Sequence, residues 1–264
     1  MIQLPIGKEF LELVIEDPKL EHQLCRWYRF PETTTNSLLG SVFITEVAED
    51  FSGFPTLPVV EWVDDVCVFK ATGCLGEVSF DKSATLAVNQ PFPIFYIEQF
   101  LRVVTAISVF RSGGLFVHSA GLLRNGKGYL FSGHSGAGKT TICRISQDCQ
   151  VLNDDLVILY PGEHKWTINA TPFSNPTQVQ PGNGSGPLDM IVHLKQAPLH
   201  EIRSVPFHEA LSSLISHAPV ISAAPQFSEE LFKRCLEIIQ KTETCELSFT
   251  PDDGFWQLIE ENFP

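Results

Sequence analysis

The stretch from Gly133 to Thr140, with the sequence Gly-His-Ser-Gly-Ala-Gly-Lys-Thr, constrains the fold more than any other part of the chain. It has the spacing G-x-x-x-x-G-K-[ST], in which the glycines let the backbone curl around a phosphate group. Residues 129–131 before it are typical of a buried strand, and residues 140–149 after it can form a helix. A glycine-rich turn that merely joins a strand to a helix is the alternative, and it leaves the lysine and threonine unexplained.

The backbone N–H groups of such a loop and the N-terminus of the following helix bind phosphate oxygens. The predicted nucleotide-binding residues are Gly133, His134, Ser135, Gly136, Ala137, Gly138, Lys139, Thr140 and Thr141. Lys139 is expected to reach the outer phosphates, and the Thr140 hydroxyl is expected to ligate magnesium. His134 is more typical of a variable loop residue, because the backbone makes the phosphate contacts.

The composition excludes several classes of protein. The 264 residues carry 18 basic and 31 acidic side chains, and the resulting net charge of −13 argues against nucleic-acid or anionic-membrane binding. Seven cysteines without a C-x-x-C pair indicate neither a disulfide framework nor a zinc site. Reduced thiols and the absence of a signal-peptide layout favour a cytoplasmic protein.

Pro91-Phe92-Pro93 marks a plausible boundary between two regions. Residues 1–90 have a strand-rich pattern, with short apolar runs at 42–44, 59–63 and 66–70, and no chemistry is predicted for them. Residues 91–264 contain the loop. They begin with an amphipathic helix over 94–110, whose polar side is predicted to carry Glu98, Arg102 and Thr105. These polar residues make the helix poorly suited to spanning a bilayer.

Residues 115–123 and 128–131 are predicted to be two strands joined at Asn125-Gly126, a strong hairpin signal. After the loop, Asp154 and Asp155 lie between apolar runs, where carboxylates usually need a cation such as magnesium. An acidic turn between two strands is the alternative. His118 lies among apolar strand residues, and this pattern by itself is more typical of a packed core histidine than of a catalyst.

The remaining predictions concern secondary structure. Residues 180–187, rich in glycine and proline, are interpreted as either a mobile flap or a plain surface linker. A strand is predicted over 188–194, helices over 208–217 and 228–241, a strand over 246–249 and a final helix from residue 252.

Three features together carry a family resemblance: residues 116–121 (Phe-Val-His-Ser-Ala-Gly), the hairpin and loop, and Asn153-Asp154-Asp155. In order and spacing they resemble the catalytic core of HPr kinase/phosphorylase. They are most similar to the HPr-kinase-related serine and peptide kinases of bacterial biosynthetic clusters. The resemblance covers roughly residues 113–194, and more weakly 206–216 and 245–259. It implies an α/β chain with the mixed-sheet P-loop fold that HPr kinase shares with phosphoenolpyruvate carboxykinases, preceded by the strand-rich N-terminal region.

The resemblance also implies roles for individual residues. Asp154 corresponds to the base that acts on the acceptor hydroxyl, and His118 to the histidine that supports this base. Asp155 corresponds to a magnesium ligand beside Thr140, and Lys139 to the lysine that holds the phosphates of ATP. Kinases of this family are often oligomers, so a homo-oligomer is the assembly that the resemblance implies.

Two hypotheses of different classes follow. The first is an ATP- and magnesium-dependent kinase that phosphorylates a hydroxyl, with the serine of a protein, a peptide or a small molecule as acceptor. The second is a nucleotide-binding regulatory or scaffold protein without phosphotransfer. In the bifunctional HPr enzymes, a glycine-rich signature segment after the acid pair serves the phosphorylase reaction. Residues 171–194 of this chain contain no convincing counterpart of it, which argues against HPr as acceptor and against phosphorolysis. A carboxykinase-like enzyme ranks last, because no clustered arginines are present to bind a carboxylate metabolite.

Overall fold

The computed structural model describes residues 1–28, 37–79, 83–174 and 179–263. The chain is of the mixed α/β class and divides into two compact units, Met1–Ser112 and Gly113–Pro264. The sequence pattern predicted this division after residue 90. It lies after Ser112 because the helix over residues 94–111 packs on the sheet of the first unit. None of the helices in the described residues combines the length and the apolar character that a membrane span requires.

The described part of the first unit forms one mixed sheet of seven strands, accompanied by two helices. In chain order the elements are β1 (Ile2–Ile6), β2 (Glu9–Ile15), α1 (Pro18–Tyr28), β3 (Leu38–Glu46), β4 (Val59–Val63), β5 (Val66–Ala71), β6 (Cys74–Val78), β7 (Ser83–Val88) and α2 (Ile94–Arg111). The strand order across the sheet is β1-β2-β3-β7-β6-β5-β4. The predicted apolar runs lie in β3, β4 and β5, so the strand-rich interpretation of this region is confirmed.

Helix α2 is buried on more than its apolar side. Phe100 packs edge-on against Phe69 of the sheet, with ring centroids 5.6 Å apart, as the helical spacing predicted. Thr105 on the opposite side is also buried, and its hydroxyl donates to the carbonyl of Leu101 at 2.8 Å. Glu98 is buried too. The simple amphipathic prediction is therefore wrong, because Glu98 and Thr105 are buried and hydrogen-bonded to groups within the unit rather than to solvent.

The second unit contains the remaining strands and α-helices of the described residues. They are β8 (Leu115–Val117), β9 (Ala120–Arg124), β10 (Lys127–Ser132), α3 (Lys139–Ile145), β11 (Gln150–Asn153), β12 (Val157–Pro161), β13 (Trp166–Asn169), β14 (Ser185–Gln196), β15 (Glu201–Ser204), α4 (Phe207–Ser216), α5 (Ser228–Lys241), β16 (Glu243–Phe249) and α6 (Phe255–Asn262). The strand order is β11-β9-β10-β14-β13-β12-β8, and β16 pairs with both β14 and β15. Strand β14 runs parallel to β10 and β16 but antiparallel to β13, so the sheet is mixed.

The hairpin before the loop forms as predicted. Strands β9 and β10 are antiparallel and pair Arg124 with Lys127, which leaves a two-residue turn. Asn125 has φ 53° and Gly126 has φ 78°, values that a tight turn requires and that these residue types tolerate.

The predicted strand over residues 115–123 is wrong as a continuous element. It breaks at His118 and Ser119, because β8 pairs with β12 whereas β9 pairs with β10 and β11. The backbone N–H of His118 donates instead to the carbonyl of His217, at 2.8 Å. The apolar run continues through the break, so the sequence pattern contains no signal for it.

Several boundaries also differ from the predictions. Helix α3 ends at Ile145 rather than Cys149, and the final helix begins at Phe255 rather than Asp252. Strand β14 begins at Ser185, inside the segment interpreted as flap or linker, because residues 185–187 pair with β13. Helix α5 and the core of α4 agree with the prediction.

An aromatic core holds the loop-bearing elements together. The Trp256 ring of α6 packs edge-on against Tyr129 and Phe131 of β10, with centroids 4.9 and 5.7 Å apart. Its indole N–H donates to the hydroxyl of Ser146 at the end of α3, at 2.9 Å. Burying a large apolar side chain contributes about 1.5–3 kcal/mol. The strand before the loop and the helix after it are thus fixed to the same core.

Candidate functional site

The loop over residues 133–138 joins β10 to α3, in the strand–loop–helix context that its sequence predicted. Gly138 precedes the helix with φ 112°, a conformation that side-chain-bearing residues rarely adopt. A Cβ atom at this position would also lie 2.5 Å from the ring of Phe249. Glycine is therefore required at the last loop position by both the backbone angle and the neighbouring strand β16.

Lys139 is the first residue of α3, and its side chain returns toward the beginning of the loop. The ammonium donates to the carbonyl oxygens of Gly133 at 2.8 Å and His134 at 3.4 Å. Burial lowers the pKa of Lys139, while Asp155 and Asp154 act in the opposite direction. An ammonium has three hydrogens, so one remains for a phosphate oxygen after these two bonds.

Asn153 builds the turn that presents the two acids. Its amide donates to the carbonyl of Phe173 at 2.7 Å and to the hydroxyl of Thr171 at 3.1 Å. Its carbonyl oxygen accepts from the backbone N–H groups of Asp155 at 2.8 Å and Leu156 at 2.9 Å. All of these contacts fix the chain direction between β11 and β12. The buried amide is thus a structural support for the acid pair.

The two acids have different surroundings. Asp154 is only 2% exposed, is hydrogen-bonded to the side chain of Thr140, and accepts from the backbone N–H of Val179 at 3.2 Å. Burial raises the pKa of Asp154, although these hydrogen bonds oppose the shift. Asp155 is more accessible, with a side chain 15% exposed, and its Oδ1 lies 3.1 Å from Nε2 of His118.

These contacts differ from the pairing that the resemblance implied. His118, predicted to support Asp154, lies against Asp155, and its ring is half exposed. Thr140, predicted to share magnesium with Asp155, is hydrogen-bonded to Asp154. The predicted residues are thus brought together, but each acid has the neighbour expected for the other.

The loop and the acid pair enclose a cavity of about 240 Å³. Its lining residues are His118, Ser135, Gly136, Gly138, Lys139, Thr140, Thr141, Asp154, Asp155 and Gln196. Of the other predicted loop residues, Ala137 is buried, and the His134 ring nitrogen Nδ1 lies 2.7 Å from the carbonyl of Ser135. The three side chains predicted to be catalytic and both predicted metal ligands therefore lie on one cavity.

Sequence reasoning missed Gln196 as a member of this site. Gln196 is the last residue of β14, and its amide donates to the carbonyl of Gly136 at 2.6 Å. Because β14 runs parallel to β10, the carboxyl ends of both strands meet at the same edge of the sheet. A polar residue at the end of the neighbouring strand was the available signal, but it required knowledge of the strand order.

The donor set suits a hard divalent cation. The Thr140 hydroxyl and the Asp154 carboxylate meet in the cavity, and oxygen ligands of this kind are those that magnesium prefers. Over the described residues, no group of three or more His, Cys, Asp and Glu side chains could hold a metal by itself. Magnesium that accompanies a nucleotide needs only one or two carboxylates, because phosphates and water complete its coordination.

Comparisons with known proteins do not identify the family or the activity of this chain. No family model matches the chain, and no curated protein matches it in sequence. Among solved structures, the Hpr(Ser) kinase/phosphatase from Coxiella burnetii matches with 13% sequence identity and a TM-score of 0.26, over 34% of this chain and 72% of that one. A likeness at this level carries no argument about activity.

Proposed function

We propose that the chain is an ATP- and magnesium-dependent kinase that phosphorylates a hydroxyl group, with a serine of a protein, a peptide or a small molecule as the acceptor. One observation carries the proposal: a single cavity is lined by a phosphate-binding loop with its lysine, by a hydroxyl and carboxylate suited to magnesium, and by a second carboxylate paired with a histidine. Phosphoryl transfer requires these three kinds of group in one place.

The phosphate side of the proposal rests on Lys139 and the loop. The partly buried ammonium is held by two loop carbonyls and keeps one hydrogen for an outer phosphate. Desolvation strengthens its attraction for an anion, because the effective dielectric constant near it is lower than in water. The loop N–H groups and the start of α3 add further positive potential.

The metal side of the proposal rests on Thr140 and Asp154. Both are oxygen ligands, and Asp154 is buried beside neutral donors. When bound there, magnesium would neutralise part of the phosphate charge and lower the cost of the ionised Asp154 carboxylate. This assigns the metal to Asp154 and exchanges the roles of the two acids relative to the resemblance.

The acceptor side of the proposal rests on Asp155 and His118. Asp155 is the more accessible acid, and the half-exposed His118 ring lies within hydrogen-bond distance of it. The acceptor hydroxyl would lose its proton to Asp155 as its oxygen bonds to the terminal phosphorus and the bond to the leaving diphosphate breaks. His118 would hold the carboxylate in position and stabilise the charge there.

The first test is calorimetric titration of ATP with magnesium into the wild type and Lys139→Ala, followed by labelled-phosphate transfer to serine, peptides and HPr. Lys241→Ala is a matched control, since this lysine is half exposed on α5 and pairs with Glu237 of the same helix at 2.7 Å. We expect binding in the wild type and control, and its loss in Lys139→Ala.

The outcomes separate the two hypotheses. Transfer to any hydroxyl acceptor supports the kinase and identifies its substrate class. Binding without transfer to any acceptor would favour the nucleotide-binding regulatory protein instead. Absence of binding to the wild type would contradict the assignment of the loop, on which both hypotheses depend.

A further inference from the structure

The imidazole of His217 links two parts of the site that lie far apart in sequence. His217 directly follows helix α4 as its C-cap, and its Nε2 lies 3.3 Å from the carbonyl oxygen of Gly133, the first residue of the phosphate-binding loop. Carbonyl oxygens only accept, and Nδ1 also faces one, that of Ser213, so both ring nitrogens of His217 must carry a hydrogen for the two contacts to form together. The same carbonyl accepts from Lys139 at 2.8 Å. His217 therefore holds the atom that anchors the lysine of the loop.

The backbone of His217 reaches the other side of the cavity. Its carbonyl oxygen accepts from the N–H of His118 at 2.8 Å, at the point where the strand pattern breaks between β8 and β9. The His118 side chain in turn meets Asp155 at 3.1 Å. One residue thus contacts the phosphate side through its ring and the acid side through its main chain.

Packing around His217 restricts its movement. Its Nδ1 lies 2.7 Å from the carbonyl of Ser213, one turn earlier in α4. The hydroxyl of Ser213 lies 3.2 Å from Nδ1 of His193 in β14. The same Nδ1 atom lies 2.9 Å from the hydroxyl of Ser132. Burial lowers the pKa of His193 to about 4, with a smaller contribution from His217. His193 is therefore neutral near pH 7 and serves as a hydrogen-bonding support beneath the loop.

The chain leaving His217 is also held in an unusual conformation. Val220 has φ 69° and ψ −54°, and the N–H of Ile221 donates to the carbonyl of Pro219 at 2.8 Å. This is a γ-turn of the rare kind with positive φ, which is strained for a β-branched residue. Such a conformation persists only where the surrounding structure imposes it. The segment after α4 is thus fixed in place rather than being a free loop.

We propose that His217 is a positioning residue that keeps the phosphate-binding loop and the His118–Asp155 pair in register. The inference rests on the proposed function and deepens it, because register between donor phosphate and acceptor base controls the rate of transfer. It predicts that loss of the Nε2 contact lowers transfer more than it changes the affinity for acceptor.

Three variants separate this role from a purely structural one. The amide nitrogen of glutamine occupies a place similar to Nε2 of histidine, whereas that of asparagine occupies a place similar to Nδ1. His217→Gln can therefore keep the Gly133 contact, and His217→Asn can keep only the Ser213 contact that caps α4. His217→Phe keeps the ring and removes both. We expect the Gln variant to retain most of the wild-type transfer rate and the Asn and Phe variants to lose roughly threefold to tenfold or more, the range for one hydrogen bond.

The measurements are the dissociation constant for magnesium and ATP, kcat and KM for the acceptor, and hydrogen exchange by mass spectrometry over residues 115–119 and 133–141. Faster exchange in both segments of the Asn and Phe variants, with kcat lowered and the acceptor KM nearly unchanged, is the expected result. Asn retaining more activity than Gln would overturn the inference, since it would show that capping of α4 is what matters.

The two proposals fail in different ways. A wild type that binds nucleotide, with equal kcat and equal exchange in all three variants, would overturn the role of His217 alone. A wild type that binds no nucleotide would overturn the proposed function and this inference with it. Melting temperatures of the variants check that each is folded before the rates are compared.

Discussion

Two carboxylates, one in each unit, are equally buried but have different partners. Glu98 in the first unit and Asp154 in the second are both 2% exposed. Glu98 accepts from the guanidinium of Arg102 at 2.6 Å and from the indole of Trp27, so its charge is matched by a cation on the same helix. Asp154 is bonded to the hydroxyl of Thr140 and the N–H of Val179, which are neutral donors.

The partners of each carboxylate indicate its role. Burying a charge is expensive unless it is paired, and Glu98 is paired within its own unit. Asp154 keeps a high desolvation cost that neutral donors offset only in part, as its raised pKa indicates. A buried acid with an internal cation supports the fold. A buried acid on a cavity wall whose hydrogen-bond donors are neutral is suited to a cation that arrives with a ligand.

The largest expected effect separates the two acids of the site. Asp155→Asn should lower phosphate transfer by roughly a hundredfold to ten-thousandfold, the range for removing a general base, with ATP affinity retained. Asp154→Asn should instead weaken the magnesium dependence of nucleotide binding, because it removes the proposed metal ligand. Labelled-phosphate transfer and calorimetry with and without magnesium measure both.

The opposite result has a clear meaning. If Asp154→Asn abolishes transfer while magnesium-dependent binding is unchanged, Asp154 is the base that the family resemblance implied. Full transfer in Asp155→Asn would likewise remove Asp155 from the proposed role.

The next effect concerns the paired acid in the first unit. Glu98→Gln leaves the partly buried Arg102 without this counter-charge, and breaking a buried pair costs up to about 3–5 kcal/mol. We expect a matching loss in the free energy of unfolding by urea denaturation, with unchanged nucleotide affinity at temperatures where the variant is folded. The double variant Glu98→Gln and Arg102→Met is the control, since replacing both partners should restore part of the stability.

A loss of less than about 1 kcal/mol in the free energy of unfolding of Glu98→Gln would be no larger than the contribution of a solvent-exposed ion pair. It would contradict the comparison, because the pairing of Glu98 would then contribute no more than a surface contact.

Local features of the site were predictable from sequence, and long-range ones were not. The loop, the Asn125-Gly126 hairpin and helix α5 depend on residue types and spacing within a few positions, and all three form as predicted. Gln196 contacts the loop across 60 residues and His217 across 84. Such contacts depend on strand order, which periodicity does not encode.

The contact between His118 and Asp155 was also not predictable from the sequence pattern. Its strand was predicted to continue to residue 123, because the apolar run has no glycine or proline before Gly121. The break follows from β8 and β9 pairing with different neighbours, and it turns the imidazole toward Asp155. The residues that the resemblance pointed to lie on one cavity, but the neighbour of each acid depends on the local path of the chain.

A smaller effect is expected at Gln196. Its amide holds the Gly136 carbonyl at the cavity edge, so Gln196→Ala should weaken ATP binding roughly threefold to tenfold, the range for one hydrogen bond. The side chain is exposed, so the free energy of unfolding should change little. Lys195→Ala, at the exposed preceding position, is the matched control in the same titration. An equal loss of affinity in both variants would mean that the end of β14 acts through general charge or packing rather than through this amide.

The smallest expected effect is a pH dependence of stability at Asp154. Its folded pKa is raised above the unfolded value of about 3.9, chiefly by burial. A group with a raised folded pKa contributes stability that is fully present below the unfolded pKa and is lost as pH rises through the folded pKa. The wild type should therefore lose stability relative to Asp154→Asn across that window, and the neutral variant should be at least as stable near pH 7.

Urea denaturation of both proteins at a series of pH values gives the difference directly, since contributions from other groups largely cancel. Glu98→Gln measured in parallel should remain less stable than the wild type near pH 7. In the wild type the charge of the Glu98 carboxylate is matched by Arg102, and the variant loses this pairing. A difference for Asp154→Asn that is flat with pH, or that grows in favour of the wild type as pH rises, would mean that the Asp154 carboxylate is already well stabilised in the fold. The contrast between the two buried acids would then fail, and with it the argument that Asp154 is held ready for a metal.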